Sequence, residues 1–150
     1  MGTVILVSWR RAAALPLLAL LVLLGACTSS AAKPLTPNAQ KYKDWNTAFQ
    51  TAELSFEQDS QTLKYVKAAD DCNQIRMLQQ SGLLFPSVGD GGADAAWQGA
   101  MTLLDSAITT CATGANFRDP AALGKAAEDF AAADSDIKVV LEKVGVTSGP

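Results

Sequence analysis

From Asn38 to Ser81 the chain contains neither glycine nor proline. Within that run Tyr42, Trp45, Phe49, Ala52, Phe56, Ser60, Leu63 and Val66 recur at steps of three and four residues. Only a helix brings such positions onto one face, and that face must be buried. Thr36-Pro37 supplies a hydroxyl cap followed by proline at the first helical position. A long helix is therefore expected from 37 to about 68. Asp70 or Asp71 is then expected to cap a short second helix that carries Cys72, Ile75 and Leu78 and stops at Gly82.

The segment from Leu83 to Gly92 reads as the longest connection. Trp97, Met101, Leu104, Ile108 and Cys111 mark a third helix, with Gly114 as its expected end. Asp119-Pro120 repeats the cap-plus-proline start. Leu123, Ala127, Phe130, Ala133 or Asp134, Ile137, Leu141 and Val144 follow, with Gly145 as the stop. The fold class expected is all-α: an antiparallel bundle of three long helices and one short one over residues 37–145, with a tail at 146–150. Trp45, Phe49, Phe56, Trp97, Leu104, Ile108, Phe130, Ile137 and Leu141 should all face inward.

The beginning of the chain has a different character. Arg10 and Arg11 precede an uncharged apolar run from Ala12 to Ala26, fifteen residues long. That length suits a secretory signal, whereas a membrane-spanning helix needs about 20 residues. The run ends in Leu24-Gly25-Ala26-Cys27, which resembles the lipobox of bacterial lipoproteins. The resemblance implies a diacylglyceryl group on the Cys27 sulfur and cleavage that makes Cys27 the new N-terminus. The plainer alternative is an ordinary signal peptide or uncleaved anchor with an incidental cysteine. Residues 1–26 are thus expected to be the signal and 27–36 the lipidated N-terminus and flexible tether. Ser8-Trp9-Arg10-Arg11-Ala12-Ala13 lacks the bulky apolar residues usual after a twin arginine, so general secretion is expected. Position 6 is Leu, which excludes a myristoylation signal at Gly2.

With the signal set aside, ten basic and fifteen acidic residues leave a net charge of −5. Nucleic acid is not an expected partner, since binding it needs a basic footprint. Lys33, Lys41 and Lys43 lie near the expected anchor, and residues 68–150 hold eleven acids against five bases. A basic root and an acidic body fit a surface-tethered protein, although plain solvated charge gives the same pattern. The absence of histidine rules out histidine-based zinc, di-iron and triad chemistry. With Cys27 assigned to lipid, Cys72 and Cys111 remain, and two cysteines in an exported chain are most simply a disulfide. Cys72 would open the second helix and Cys111 would close the third, so the two thiols would meet at the end far from the membrane.

Trp97, Leu104 and Cys111 on one helix, then Asp119-Pro120 and an Ala-rich last helix, resemble the small helical lipoproteins of actinobacteria over about residues 95–144. The frequent alanine suggests a high-GC genome; the resemblance implies a high-GC Gram-positive bacterium, and the lipobox implies an extracytoplasmic location, lipid-anchored to the cell membrane. The resemblance implies no activity beyond the lipid-carrying role of Cys27.

Several constellations could carry chemistry. Glu53 and Glu57 stand one helical turn apart, but off the apolar stripe, as on a solvated face. Asp59 and Asp134 could form a buried pair, although Ser60 and Ala133 would fill the same slots. Asp90, Gly91, Gly92 and Asp94 suggest a calcium loop without the terminal Glu, and turn chemistry accounts for them. The aromatics Tyr42, Trp45, Phe49, Phe56 and Trp97, with Met101, could line a ligand or haem pocket, but their helical spacing reads as core. Leu83, Leu84 and Phe85 either plug a bundle end or form a patch for a partner or the membrane. No nucleophile–base set is recognisable, and no cofactor or metal is expected. The expected function is a non-catalytic interaction or accessory module, held in the bilayer through Cys27 and working with another envelope protein. The alternative is a carrier whose bundle opens around an apolar or lipid ligand.

Overall fold

The computed structural model describes residues 35–146. Four helices account for nearly all of them: α1 Pro37–Gln61, α2 Tyr65–Gly82, α3 Gly91–Phe117 and α4 Pro120–Lys143. Each packs on its neighbours in sequence and α1 closes the ring against α4, while across the diagonal the backbones stay apart and α1 meets α3 through side chains, Tyr42 and Trp45 against Trp97. The links are short, so the arrangement is an antiparallel four-helix bundle. One end, the root, gathers the start of α1, the end of α2, the start of α3 and the end of α4. The opposite end holds the 62–64 and 118–119 turns. No described helix is long and apolar enough to cross a membrane.

All nine residues expected inside are buried. Phe56 of α1 meets Phe130 of α4 edge to face, with centroids 5.3 Å apart. Trp45 stacks on Phe49 at 5.5 Å. Small residues fill the closest helix crossings. A Cβ at Gly82 would lie 2.9 Å from Met101 Sδ and 3.1 Å from the Trp97 ring.

The helix ends differ from expectation in a physically uniform way. The first helix stops at Gln61 rather than near 68, and α2 begins at Tyr65, so it is eighteen residues long rather than short. The break needs no glycine. Leu63 takes a left-handed φ of 55°, Lys64 N–H donates to Asp59 O at 2.8 Å, and Leu63 N–H donates to Ser60 O at 3.1 Å. This is the Schellman pattern, in which glycine is usual at the left-handed position. Arg118 does the same at the end of α3, with φ 55° and Asp119 N–H donating to Gly114 O at 2.8 Å. Gly114 is therefore not the stop. It lies in the helix, buried against α4.

The glycine version of the pattern occurs where it was expected, at Gly145, φ 81°. There Val146 N–H donates to Leu141 O at 2.8 Å and the Val146 side chain is buried, so ordered packing extends one residue past 145. Residues 147–150 lie outside the described residues. Both proline starts are present. Thr36 Oγ1 accepts from Ala39 N–H, and Asp119 Oδ1 accepts from Ala121 and Ala122 N–H. Neither Asp70 nor Asp71 caps a helix; both lie inside α2, and the side chain at its cap position, Lys64, makes no capping hydrogen bond.

Cys72 and Cys111 form a disulfide, with Cα atoms 6.0 Å apart. Because α2 starts seven residues before Cys72 and α3 runs six past Cys111, the bridge sits within the α2–α3 interface rather than at the extreme end. Both sulfur-bearing side chains are fully buried.

Candidate functional site

The most elaborate surface of the described residues lies at the root, where the 83–90 connection crosses the bundle end. The last carbonyls of a helix have no partners within it. Here backbone amides of Leu83, Leu84 and Phe85 turn back onto Gln79, Ser81 and Gly82, and two indoles add donors near the helix end. Trp45 Nε1 donates to Leu78 O at 2.8 Å, and Trp97 Nε1 donates to Gly82 O at 3.0 Å. Tyr42 Oη donates to Pro86 O at 2.7 Å, which fastens the connection to the first turns of α1. Burial, and to a lesser degree Asp94, push the Tyr42 hydroxyl pKa upward.

Phe85 is the plug. It stacks on Trp97 at 5.5 Å and meets Tyr42 edge-on at 5.0 Å, and Lys41 Nζ stands 4.3 Å over its ring. Leu83 and Leu84 do not join it. They point outward, 60% and 81% exposed. The three residues read together in the sequence therefore divide between a closure and an exposed apolar pair.

Beside the plug runs an open groove of about 670 Å³. Tyr42, Leu83, Phe85, Trp97 and Met101 form its apolar wall, and Gln79, Asp94, Gln98 and Asp105 its polar one. Its chemistry is that of a mixed apolar and acceptor-rich cleft. The groove is on the surface. The interior of the bundle is filled by the chain's own side chains, from Tyr42 at the root to Phe56 and Phe130 deeper in.

The possible calcium-loop residues are occupied otherwise. Asp90 Oδ1 accepts from Ala93 N–H at 2.9 Å and caps α3, and Asp90 Oδ2 pairs with Lys143 at 3.4 Å. The amide of Ala93, then Lys143, hold the Asp90 carboxyl below its usual range. Asp94 accepts from Ser87 Oγ and from Val88 N–H. Among the described residues no group of three His, Cys, Asp or Glu side chains is placed to hold a metal ion.

The carboxylates pair differently from the sequence expectation. Asp59 is buried in place of Ser60 and pairs with Lys64 at 3.2 Å. Ala133 takes the core slot on α4, and Asp134 pairs with Lys138 at 2.6 Å. Asp59 and Asp134 are not brought together. Glu53 is half-buried rather than solvated, and its pKa is pushed up to about 7, first by burial, then by Asp134 and Glu57, against Lys138. Glu57 stays exposed.

Asp71 was missed as a buried group. It is buried beside the disulfide, Ser55 Oγ donates to its Oδ1 at 3.0 Å, and Oδ2 has no hydrogen-bond partner among the described residues. Burial raises its pKa. The sequence signal was the stripe Ala68, Asp71 or Cys72, Ile75 and Gln79, visible only once α2 starts at 65. Cys27 lies outside the described residues. Comparison of the chain with protein-family models, with curated proteins and with solved structures returned no match.

Proposed function

We propose that the protein is an exported bacterial lipoprotein, acylated at Cys27 and held on the outer face of the cell membrane, whose helical domain is a non-catalytic interaction module. The observation that carries this reading is Leu24-Gly25-Ala26-Cys27 at the end of the Ala12–Ala26 apolar run. The first helix begins at Pro37, capped by Thr36, so the helical domain starts a short distance after Cys27, as a tethered domain would. A buried Cys72–Cys111 disulfide supports an oxidising compartment, since such bridges are rare in the cytosol. The filled interior supports a module that works through its surface.

A second reading has one observation in its favour. The groove beside Phe85 falls within the size range of small-molecule sites and has an aromatic wall. On that reading the protein carries an apolar or lipid ligand, held in the surface groove rather than in the bundle interior.

Metabolic labelling with a fatty-acid analogue, followed by membrane fractionation, tests the first reading. The native chain should carry label and sediment with membranes, and Cys27→Ala should lose both. Label that persists in Cys27→Ala overturns it. Extraction of the purified protein with organic solvent and mass spectrometry of the extract tests the second; a recovered stoichiometric ligand would favour the carrier.

A further inference from the structure

We infer that the groove beside Phe85 takes a small organic cation with an apolar body, its charge set against Asp105 and the side-chain oxygen of Gln79. This deepens the carrier reading above, on which it rests, and it does not depend on the anchor.

The donors of the groove carry the argument, because they are spent. Tyr42 Oη donates to Pro86 O, Ser87 Oγ to Asp94 and Thr102 Oγ1 to Gln98 O. No lysine or arginine lines the groove. Asp94 and Asp105 stand eleven residues apart on α3, about 16 Å at 1.5 Å per residue, so a carboxylate lies near each end. Asp94 is already held by Ser87 and Val88. Asp105 has no ion-pair partner among the described residues, and neither does Arg76, one turn before Gln79 on α2.

Gln79 is a second and independent observation. It is only 6% exposed. Its Nε2 donates to Met101 O at 3.4 Å, and its Oε1 accepts no hydrogen bond among the described residues. That oxygen is not among the sealed polar atoms without partners, so it opens on the groove that Gln79 lines. An acceptor so placed is satisfied by water or by a ligand's donor, and a charged donor bonds it more strongly than a neutral one.

The apolar wall sets the rest of the ligand. Trp97 stacks on Phe85 and Lys41 stands over the same ring, so the ring faces are taken. The wall therefore offers apolar contact rather than a cation–π seat, and charge recognition falls to Asp105 and Gln79. A groove of about 670 Å³ suits a small molecule. The eleven acids against five bases in residues 68–150 add a field that draws cations and repels anions.

The purified protein, as the cell processes it and in phosphatidylcholine nanodiscs where it is acylated, is titrated with three ligands of one shape. They are benzyltrimethylammonium, benzyl alcohol and benzoate, and the Trp97 indole N–H signal in NMR reads their binding. The ammonium should bind about fivefold tighter than the alcohol, the scale of an exposed charge pair, and benzoate should bind worst. Asp105→Asn should remove most of that preference with an unchanged melting midpoint and unchanged binding of the alcohol, because the side chain is exposed. Asp70→Asn removes the same charge from an exposed site outside the groove and should keep the preference. Equal binding of ammonium and alcohol overturns the inference and leaves the carrier reading standing. A full preference in Asp105→Asn, or an equal loss in Asp70→Asn, also overturns it. Failure of all three ligands overturns both readings of the groove. Binding of N-acetyl-lysine amide without binding of the ammonium would point to a basic partner protein and overturn the small cation.

Discussion

Gly114 of α3 and Leu123 of α4 meet so closely that a Cβ on Gly114 would stand 2.9 Å from the Leu123 backbone nitrogen. The α3–α4 interface closes to backbone distance there, and only the absence of a side chain permits it. Ordinary helix propensity favours alanine over glycine by about 1 kcal/mol. Overpacking against fixed backbone costs about 1–3 kcal/mol and wins. Gly114→Ala should lower the denaturant midpoint. Gly124→Ala, where a Cβ meets nothing within 4 Å, should raise it by the propensity gain. If Gly114→Ala also stabilises, the crossing is looser than described.

Reduction of Cys72–Cys111 should destabilise the bundle by about 4 kcal/mol, since the bridge closes a loop of about forty residues in the unfolded chain. Both thiols should resist alkylation until the protein is reduced and unfolded. Equilibrium melts with and without reductant check the first expectation, and rapid labelling of the native protein would contradict the second.

Phe56→Ala and Phe130→Ala should each cost about 3–5 kcal/mol, because both rings are fully buried. The two rings touch edge to face, so the double variant should lose less than the two losses added together. Leu54→Ala, on the exposed face, should change stability by less than about 0.5 kcal/mol. Urea melts of the four proteins give the ranking.

Glu53 should make stability fall with rising pH. Its carboxyl binds a proton more tightly folded, with a pKa of about 7, than at its ordinary value of 4.5. The native state therefore holds the extra proton between those values, and stability declines as pH rises through that window. Burial is the main cause, followed by Asp134 and Glu57, with Lys138 opposing. Glu53→Gln should be more stable than the native chain at pH 7.5 and no more stable below pH 4.5. Melting curves at the two pH values decide it; an unchanged difference between them would mean that Glu53 is fully solvated.

Periodicity made the core legible because it depends on burial alone, which is why Trp45, Phe56, Trp97 and Ile137 are where their spacing puts them. The last helix was legible at both ends, since Asp119-Pro120 and Gly145 are local signals that need no tertiary context. The end of α1 was hidden because Leu63 takes a conformation that the sequence code assigns to glycine, and the hydrogen bonds to Asp59 and Ser60 offset the strain. Gly114 misled in the opposite direction. It looks like a stop, but its task is to let Leu123 approach, whereas Gly82 does end α2 and also leaves room for Met101 and Trp97. Leu83, Leu84 and Phe85 could not be sorted from sequence, because three apolar residues in a turn have no period. The Trp97 ring, forty-eight residues removed from Phe49 and brought beside Trp45 by folding, decides which of the three turns inward.

The placement of the disulfide has a mechanical consequence. It ties α2 to α3 and gives α1 no covalent tie to the rest beyond the 62–64 turn, so packing and a few hydrogen bonds hold it in place. A load applied between the chain ends enters through α1 and α4, so these helices peel away while the 72–111 segment stays a closed ring. Thirty-nine residues of chain are then withheld from stretching, about 130 Å of contour at roughly 3.3–3.6 Å per residue. The oxidised domain thus has a built-in stop to its extension, and its reduction would lengthen the leash by that amount.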